Sequence, residues 1–128
     1  MWQQSSEYAE KGVIKRFVKR HPREAMSCFE NLRDVVAALD AGGEPMRLPF
    51  GFYSSEGSEV YRIGQTGVKH PCESRLYIYS CVINTTVYVL TMGDKTTQQD
   101  DVNRAKAMVK TIKRDLALQT DKEAGNEE

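Results

Sequence analysis

Residues 75–92 read RLYIYSCVINTTVYVLTM, and this stretch decides the fold. It holds two runs rich in tyrosine and β-branched residues, Arg75–Ile83 and Thr86–Met92, separated by Asn84 and Thr85. Such runs favour strands, and a short polar pair between them favours a tight turn. We therefore expect an antiparallel hairpin within a small sheet.

One more strand is expected before this hairpin, at Glu59–Ile63, followed by a polar connection over residues 64–74. Prolines and glycines interrupt residues 44–57, a segment that also contains Phe50, Phe52 and Tyr53. Short strands and an ordered loop both fit this segment. The sheet is therefore predicted to have three or four strands.

Helices are predicted on both sides of the sheet segment in the sequence. Residues 5–20 have apolar spacings compatible with a helix that Pro22 should end. A second helix is expected from Arg23 to about Asp40, with Gly42 and Gly43 as its stop. Its apolar stripe is formed by Ala25, Phe29, Leu32, Val36 and Leu39. Two consecutive helices joined at a proline predict an N-terminal helical hairpin.

A closing helix is predicted from about Gln98 to Leu118, with Thr97 as its N-cap. Its apolar stripe consists of Val102, Ala105, Val109, Ile112 and Leu116. A chain of 128 residues, 40% hydrophobic and 28% charged, fits one soluble domain. The predicted fold class is α+β, with the domain over residues 1–118 and an acidic, disordered tail over residues 119–128.

The charges and cysteines exclude several classes of protein. Eighteen basic and eighteen acidic residues cancel, but residues 115–128 hold five acidic residues and one lysine, so the preceding body is basic. The N-terminal residues lack the pattern of a secretory signal, and the uncharged stretch 76–93 is interrupted by polar residues, so no membrane segment is expected. Three cysteines without a CxxC spacing favour a reducing cytoplasm, with no disulfide framework and no metal site.

Strand alternation predicts which side chains a one-sided sheet leaves open. In the hairpin, Arg75, Tyr77 and Tyr79 share one face, and Tyr88 and Arg62 are expected near them. Arginines beside tyrosines suit RNA, because guanidinium groups bind phosphate and flat rings stack on unpaired bases. The same residues are also ordinary in strands, where tyrosine is common and an arginine is often a solvated edge residue.

Two charged segments offer weaker signals. Asp94-Lys95 falls where the last strand gives way to the last helix, and a lysine there can stabilise charge on a phosphate, although the residues alone favour an ordinary turn with solvated charges. The run over residues 15–23 is the densest basic segment. His70, beside Pro71 and Cys72, is interpreted as structural or incidental, and no nucleophile motif or glycine-rich phosphate loop is present.

Three short motifs together resemble the RelE/ParE toxin superfamily, with the phage-derived HigB-like branch the most similar. They are the strand Glu59-Val-Tyr-Arg-Ile63, the strand Ser74-Arg-Leu-Tyr-Ile-Tyr79, and the run Val87-Tyr-Val-Leu-Thr-Met-Gly-Asp-Lys-Thr96 that precedes a helix containing Arg104-Ala105. The resemblance extends over roughly residues 12–114 and implies a RelE-like fold. Members of this superfamily are small bacterial toxins that a cognate antitoxin neutralises.

The resemblance also implies an activity and its residues. RelE-like and HigB-like members are ribosome-dependent endoribonucleases that need no cofactor or metal, whereas ParE-like members poison DNA gyrase. Arg62, Arg75 and Lys95 would be the basic RNA-contacting or catalytic groups, and Asp94 a candidate base. Tyr77, Tyr79 and Tyr88 would bind RNA by stacking on bases. We expect mRNA on the ribosome as the target, and a non-catalytic module that binds gyrase or an antitoxin as the alternative.

Overall fold

A computed structural model of the chain describes residues 1–68 and 72–126, with side chains as far as Lys122. Within these residues the fold is α+β, with five strands and three helices. In chain order they are β1 (Gln3–Ser5), α1 (Lys11–Arg20), α2 (Pro22–Asp40), β2 (Tyr53–Gly57), β3 (Val60–Gly64), β4 (Ser74–Cys81), β5 (Thr86–Asp94) and α3 (Gln98–Asn126). Two short 3₁₀ turns, Pro45–Arg47 and Lys95–Thr97, complete the pattern.

The sheet has the strand order β1-β5-β4-β3-β2. The predicted hairpin is confirmed as β4 and β5, which pair antiparallel with Tyr79 opposite Tyr88. The sheet nevertheless differs from the predicted three or four antiparallel strands, because β1 pairs parallel with β5 and β2 forms the opposite edge. The sequence did not predict β1 because its residues, Gln3, Gln4 and Ser5, are polar and join the sheet through their backbone.

The N-terminal helices also differ in detail from the prediction. Helix α1 begins at Lys11 rather than at residue 5, because β1 and a turn come first. Only His21 separates α1 from α2, whose first residue is Pro22. The predicted stop of α2 is confirmed, because Gly42 adopts a φ of +97°, a conformation that glycine accepts without strain.

The two faces of the sheet have different side chains. One face, here called the aliphatic face, packs on α2 through buried residues of four strands: Tyr53, Ile63, Leu76, Ile78, Val87, Val89 and Met92. Its partners on α2 are Ala25, Cys28, Leu32, Val35 and Leu39. The other face, here called the tyrosine face, consists of Val60, Tyr77, Tyr79, Cys81, Tyr88 and Leu90.

Helix α3 covers the tyrosine face, so the prediction of an open sheet face with exposed rings is wrong. Tyr77, Tyr79 and Tyr88 are 0%, 4% and 5% exposed. They pack against the apolar stripe of α3, of which Val102, Ala105, Val109 and Ile112 are buried. The physical reason is that α2 and α3 each carry an apolar stripe, and each stripe needs its own face of the single sheet.

The predicted start of α3 at Gln98 is confirmed, but the capping residue and the C-terminal end differ from the prediction. Asp94, rather than Thr97, caps the 3₁₀ turn that leads into α3: its carboxylate accepts the backbone N–H groups of Thr96 and Thr97 at 2.9 and 3.2 Å. At its other end the helix continues beyond Leu118 to Asn126, where a disordered tail was predicted. Among the described helices, none combines the length and the apolar character needed to cross a membrane.

Candidate functional site

Arg62 and Arg75 lie on neighbouring strands and line one open cleft. Arg62 on β3 is opposite Tyr77, and Arg75 on β4 is opposite Gly64, so their side chains emerge from the same face of the sheet. The cleft has a volume of about 310 Å³. Its other lining residues come from β2, β3, the start of β4 and the segments next to these strands: Gly51, Phe52, Ser54, Gly64, Gln65, Glu73 and Ser74. We call this surface the arginine cleft.

Each of the two arginines already has a carboxylate nearby. Nη1 of Arg62 lies 3.5 Å from Oε1 of Glu56, and Nη2 of Arg75 lies 3.5 Å from Oε2 of Glu73. These separations exceed the roughly 2.7–2.9 Å of a charge-assisted hydrogen bond. The Glu73 side chain is 59% exposed, so its pairing with Arg75 is screened by solvent and easily exchanged. The arginine cleft is therefore close to neutral in the absence of a ligand.

The Arg75 side chain is only 14% exposed, and its Nε is buried without a hydrogen-bond acceptor in the described part of the chain. A buried N–H without an acceptor is costly, since it has lost its hydration and gained nothing in return. An oxyanion that enters the cleft would supply the acceptor. This observation makes Arg75 the strongest candidate for an anion-binding residue here.

Lys95 and Asp94 lie at the same end of the strands as Arg75, but outside the arginine cleft. The register puts Asp94 opposite Ser74 and Gly93 opposite Arg75, so Lys95 begins its turn beside the start of β4. Lys95 is exposed, and no described carboxylate forms an ion pair with it. The structure therefore brings Arg62 and Arg75 together and leaves Lys95 at their margin.

Asp94 has a structural role that competes with its predicted role as a base. Its Oδ1 accepts the Thr96 hydroxyl at 2.6 Å as well as the two backbone N–H groups of the cap. These hydrogen bonds, that from the Thr96 side chain above all, lower the pKa of the Asp94 carboxyl below its ordinary value. A carboxylate stabilised in this way is a weak base, and the capping interaction accounts for the residue.

A second cleft lies between α1 and the start of α3. It has a volume of about 430 Å³, and its lining includes Arg16, Lys19, Arg20 and Asp94. Acidic groups also line it, notably Asp101, which forms a 2.7 Å ion pair with Arg104. The basic run of residues 15–23 thus provides one wall of a mixed-charge cleft.

The three tyrosines predicted to stack on bases are part of the protein interior. Tyr79 and Tyr88 stack on each other with ring centroids 6.0 Å apart, and the Tyr88 hydroxyl accepts a 2.8 Å hydrogen bond from Asn84. Burial raises the pKa of the Tyr77 hydroxyl above its ordinary value, and that hydroxyl has no hydrogen-bond partner among the described residues. These rings are therefore inaccessible to a base, and they join α3 to the sheet.

Phe52 is the aromatic residue that the arginine cleft does contain. It is partly buried and stacks on Phe50, with centroids 4.8 Å apart and planes 12° apart. From the sequence, Phe50 and Phe52 were only aromatic residues in a segment for which short strands and an ordered loop both fitted. Nothing in their spacing indicated that β2 pairs with β3 and brings Phe52 beside Arg62.

Cys28 and Cys81 are buried thiols that form no disulfide among the described residues. The interpretation of His70 as structural or incidental lies outside the described residues. No family model, curated protein or solved structure matches this chain significantly. Its function is therefore argued from the geometry of the arginine cleft and from the resemblance of its motifs.

Proposed function

We propose that this chain is the toxin of a toxin–antitoxin pair and that it cleaves mRNA on the ribosome in the cytoplasm. The observation that carries the proposal is the arginine cleft, where two guanidinium groups from adjacent strands flank an open space whose lining includes Phe52. Guanidinium forks bind phosphate oxygens in pairs, and an aromatic face stacks on an unpaired base. A single-stranded RNA segment satisfies both requirements.

The proposed reaction is attack of a ribose 2′-hydroxyl on the adjacent phosphate. The new P–O bond closes a 2′,3′-cyclic phosphate while the bond to the 5′-oxygen breaks, and that oxygen takes up a proton. Arg62 and Arg75 would neutralise the charge that develops on the phosphate oxygens, which is the largest contribution that a preorganised site makes to such a step. The Nε–H of Arg75 would gain the acceptor that it lacks.

The roles of the remaining residues follow from their positions. Lys95, exposed at the margin of the cleft, would approach the RNA backbone from the side of β5. Phe52 replaces Tyr77, Tyr79 and Tyr88 as the proposed stacking surface, because it lines the cleft and they are buried. We assign no catalytic role to Asp94, since it caps the turn before α3.

The regulatory partner in this proposal is a cognate antitoxin. Glu56 and Glu73 offer a guide to how it would act, because they already neutralise Arg62 and Arg75 at ion-pair distance. An antitoxin that supplies further carboxylates to the arginine cleft would exclude RNA by the same chemistry. The toxin would be active once the antitoxin has been removed from the arginine cleft.

The test is expression in a bacterial host, with growth and transcript cleavage as readouts. Arg75→Ala and Arg62→Ala should each reduce cleavage at least about 100-fold, the loss typical of one group that stabilises transition-state charge. Arg47→Ala is the matched control, because Arg47 is an exposed arginine on a 3₁₀ turn, paired with Glu44 at 3.5 Å. Primer extension should show cuts that require translating ribosomes, with cyclic phosphate ends.

A non-catalytic module that binds gyrase or an antitoxin is the second candidate. The observation that favours it is that both arginines already have glutamate partners, so protein carboxylates are ligands that the cleft accepts. It predicts DNA-damage signs without transcript cleavage, or no toxicity. Cleavage that is intact in the Arg75→Ala and Arg62→Ala proteins would contradict the ribonuclease proposal.

A further inference from the structure

A histidine, a glutamate and a cysteine from two separate parts of the chain converge beside the α1–α2 junction. The ligand atoms of His21, Glu24 and Cys72 all lie within 4.8 Å of one another. His21 and Glu24 share one face of the first turn of α2, with Nδ1 and Oε2 3.4 Å apart. Cys72 comes from the segment before β4 and brings its sulfur to the same place.

We propose that His21, Glu24 and Cys72 bind a divalent transition-metal ion, with Zn²⁺ the best fit. A nitrogen, a thiolate sulfur and a carboxylate oxygen are the three donor types that zinc accepts. Tetrahedral zinc with bonds of about 2.0 Å to nitrogen and oxygen and about 2.3 Å to sulfur needs ligand atoms roughly 3.3–3.8 Å apart. The His21–Glu24 separation already has this value, and Cys72 needs only a small approach.

Burial and local charge favour the proposal. Glu24 is only 3% exposed, so its carboxylate is fixed within the protein, in reach of His21 and Cys72. Asp94 lies close enough to His21 and Cys72 to act on both electrostatically, while Arg20 opposes it near Cys72. Among the described residues, the cluster is therefore flanked by one further carboxylate and one guanidinium group.

The described residues supply three of the four ligands that a tetrahedral zinc ion takes. The ion would also join the segment before β4 to the start of α2. Arg75 is three residues after Cys72, so the metal would also fix the chain close to the start of β4. The metal site does not depend on the proposed ribonuclease function, since its evidence is the geometry of the three ligands.

The experiment titrates the full chain, freed of metal with a chelator, with Co²⁺ as a spectroscopic substitute for zinc. We expect one equivalent to bind, with intense ligand-field bands of a tetrahedral site and a thiolate-to-cobalt charge-transfer band. Cys72→Ser should abolish the charge-transfer band. It should also weaken Zn²⁺ binding, measured by competition with a chromophoric chelator, by more than the roughly 10–100-fold typical of an outer-shell residue.

Cys81→Ala is the matched control, since Cys81 is a buried thiol of the tyrosine face, away from the cluster. It should keep the charge-transfer band and the zinc affinity. His21→Asn is the second variant; it leaves the thiol in place and should reduce affinity by a similar factor, with circular dichroism used to verify that each variant is folded. Absence of stoichiometric binding by the parent chain, or equal affinities in the parent and the Cys72→Ser protein, would overturn the proposal.

Discussion

The aliphatic face and the tyrosine face of the sheet are both buried, but Tyr53 on the first and Tyr77 on the second differ in the hydrogen bonding of their hydroxyls. On the aliphatic face the polar group of Tyr53 is satisfied, because its hydroxyl donates to the carbonyl of Pro45 at 2.9 Å. The tyrosine face and its margin hold buried polar atoms without a partner in the described part of the chain, on Tyr77 and Arg75. A hydroxyl without a partner among the described residues, that of Ser80, also lies on the aliphatic face, so the two faces differ in these tyrosines and in the arginine cleft that borders the tyrosine face.

The largest effect is expected from opening a cavity on the aliphatic side. Leu32 on α2 is 1% exposed, so Leu32→Ala should lower the free energy of unfolding by about 2–5 kcal/mol. Met26 on the same helix is 62% exposed, and Met26→Ala should change it by less than about 0.5 kcal/mol. Urea denaturation measures both. Similar losses of unfolding free energy in the two variants would show that α2 does not pack on the sheet through its apolar stripe.

A smaller loss in the free energy of unfolding is expected from a substitution at Gly93, close to the start of α3 on the tyrosine face. A Cβ at position 93 would lie 2.0 Å from Oδ2 of Asp101 and 2.6 Å from the Thr97 hydroxyl, which leaves room only for glycine. Gly93→Ala should displace the start of α3 and cost about 1–3 kcal/mol in the free energy of unfolding.

Gly51→Ala is the control for this prediction, because a Cβ there would meet no atom within 4 Å. Thermal denaturation of both variants gives the comparison. A Gly93→Ala protein as stable as the Gly51→Ala protein would mean that Asp101 moves away at little cost.

The smallest change in the free energy of unfolding is expected when one tyrosine hydroxyl is removed from each face. This pair of variants compares the two faces most directly. Tyr53→Phe deletes the hydrogen bond to Pro45 and leaves that carbonyl without its partner, so it should cost about 1 kcal/mol. Tyr77→Phe deletes a buried hydroxyl that makes no hydrogen bond in the described structure, so it should be neutral or stabilising by up to about 1 kcal/mol.

Chemical denaturation of the two Tyr→Phe proteins measures the difference. A loss of stability in Tyr77→Phe equal to that in Tyr53→Phe would remove the distinction between the faces. It would indicate that the Tyr77 hydroxyl has a partner in solution, such as an ordered water.

Local patterns predicted the hairpin, the stripe of α2 and the existence of α3, because each is encoded in neighbouring residues. The apolar stripes on α2 and α3 also indicated that both faces of the sheet are covered, although the prediction left one face open. Two such stripes need two sheet faces, and this requirement excludes an open face that carries Tyr77 and Tyr79. The tyrosines resembled a binding surface because the same ring that stacks on a base also packs well on a helix.

Long-range features could not be predicted in this way. The pairing of Gln3–Ser5 with β5 depends on backbone groups, and a pattern of side chains gives no information about these. The arginine cleft needs β2 beside β3 to bring Phe52 to Arg62, and the cluster of His21, Glu24 and Cys72 joins residues far apart in the chain. Each of these depends on the tertiary fold, about which residue spacing carries little information.

The short strand β1 has a consequence for how copies of the protein meet. It covers the outer side of β5 from Thr86 to Tyr88, and the N–H of Glu10 reaches the Leu90 carbonyl at 2.9 Å. An uncovered strand of this length, rich in valine and leucine, is a template on which a second chain can add and begin to aggregate. The first ten residues therefore occupy hydrogen-bonding groups of β5 that would otherwise be open to a second chain.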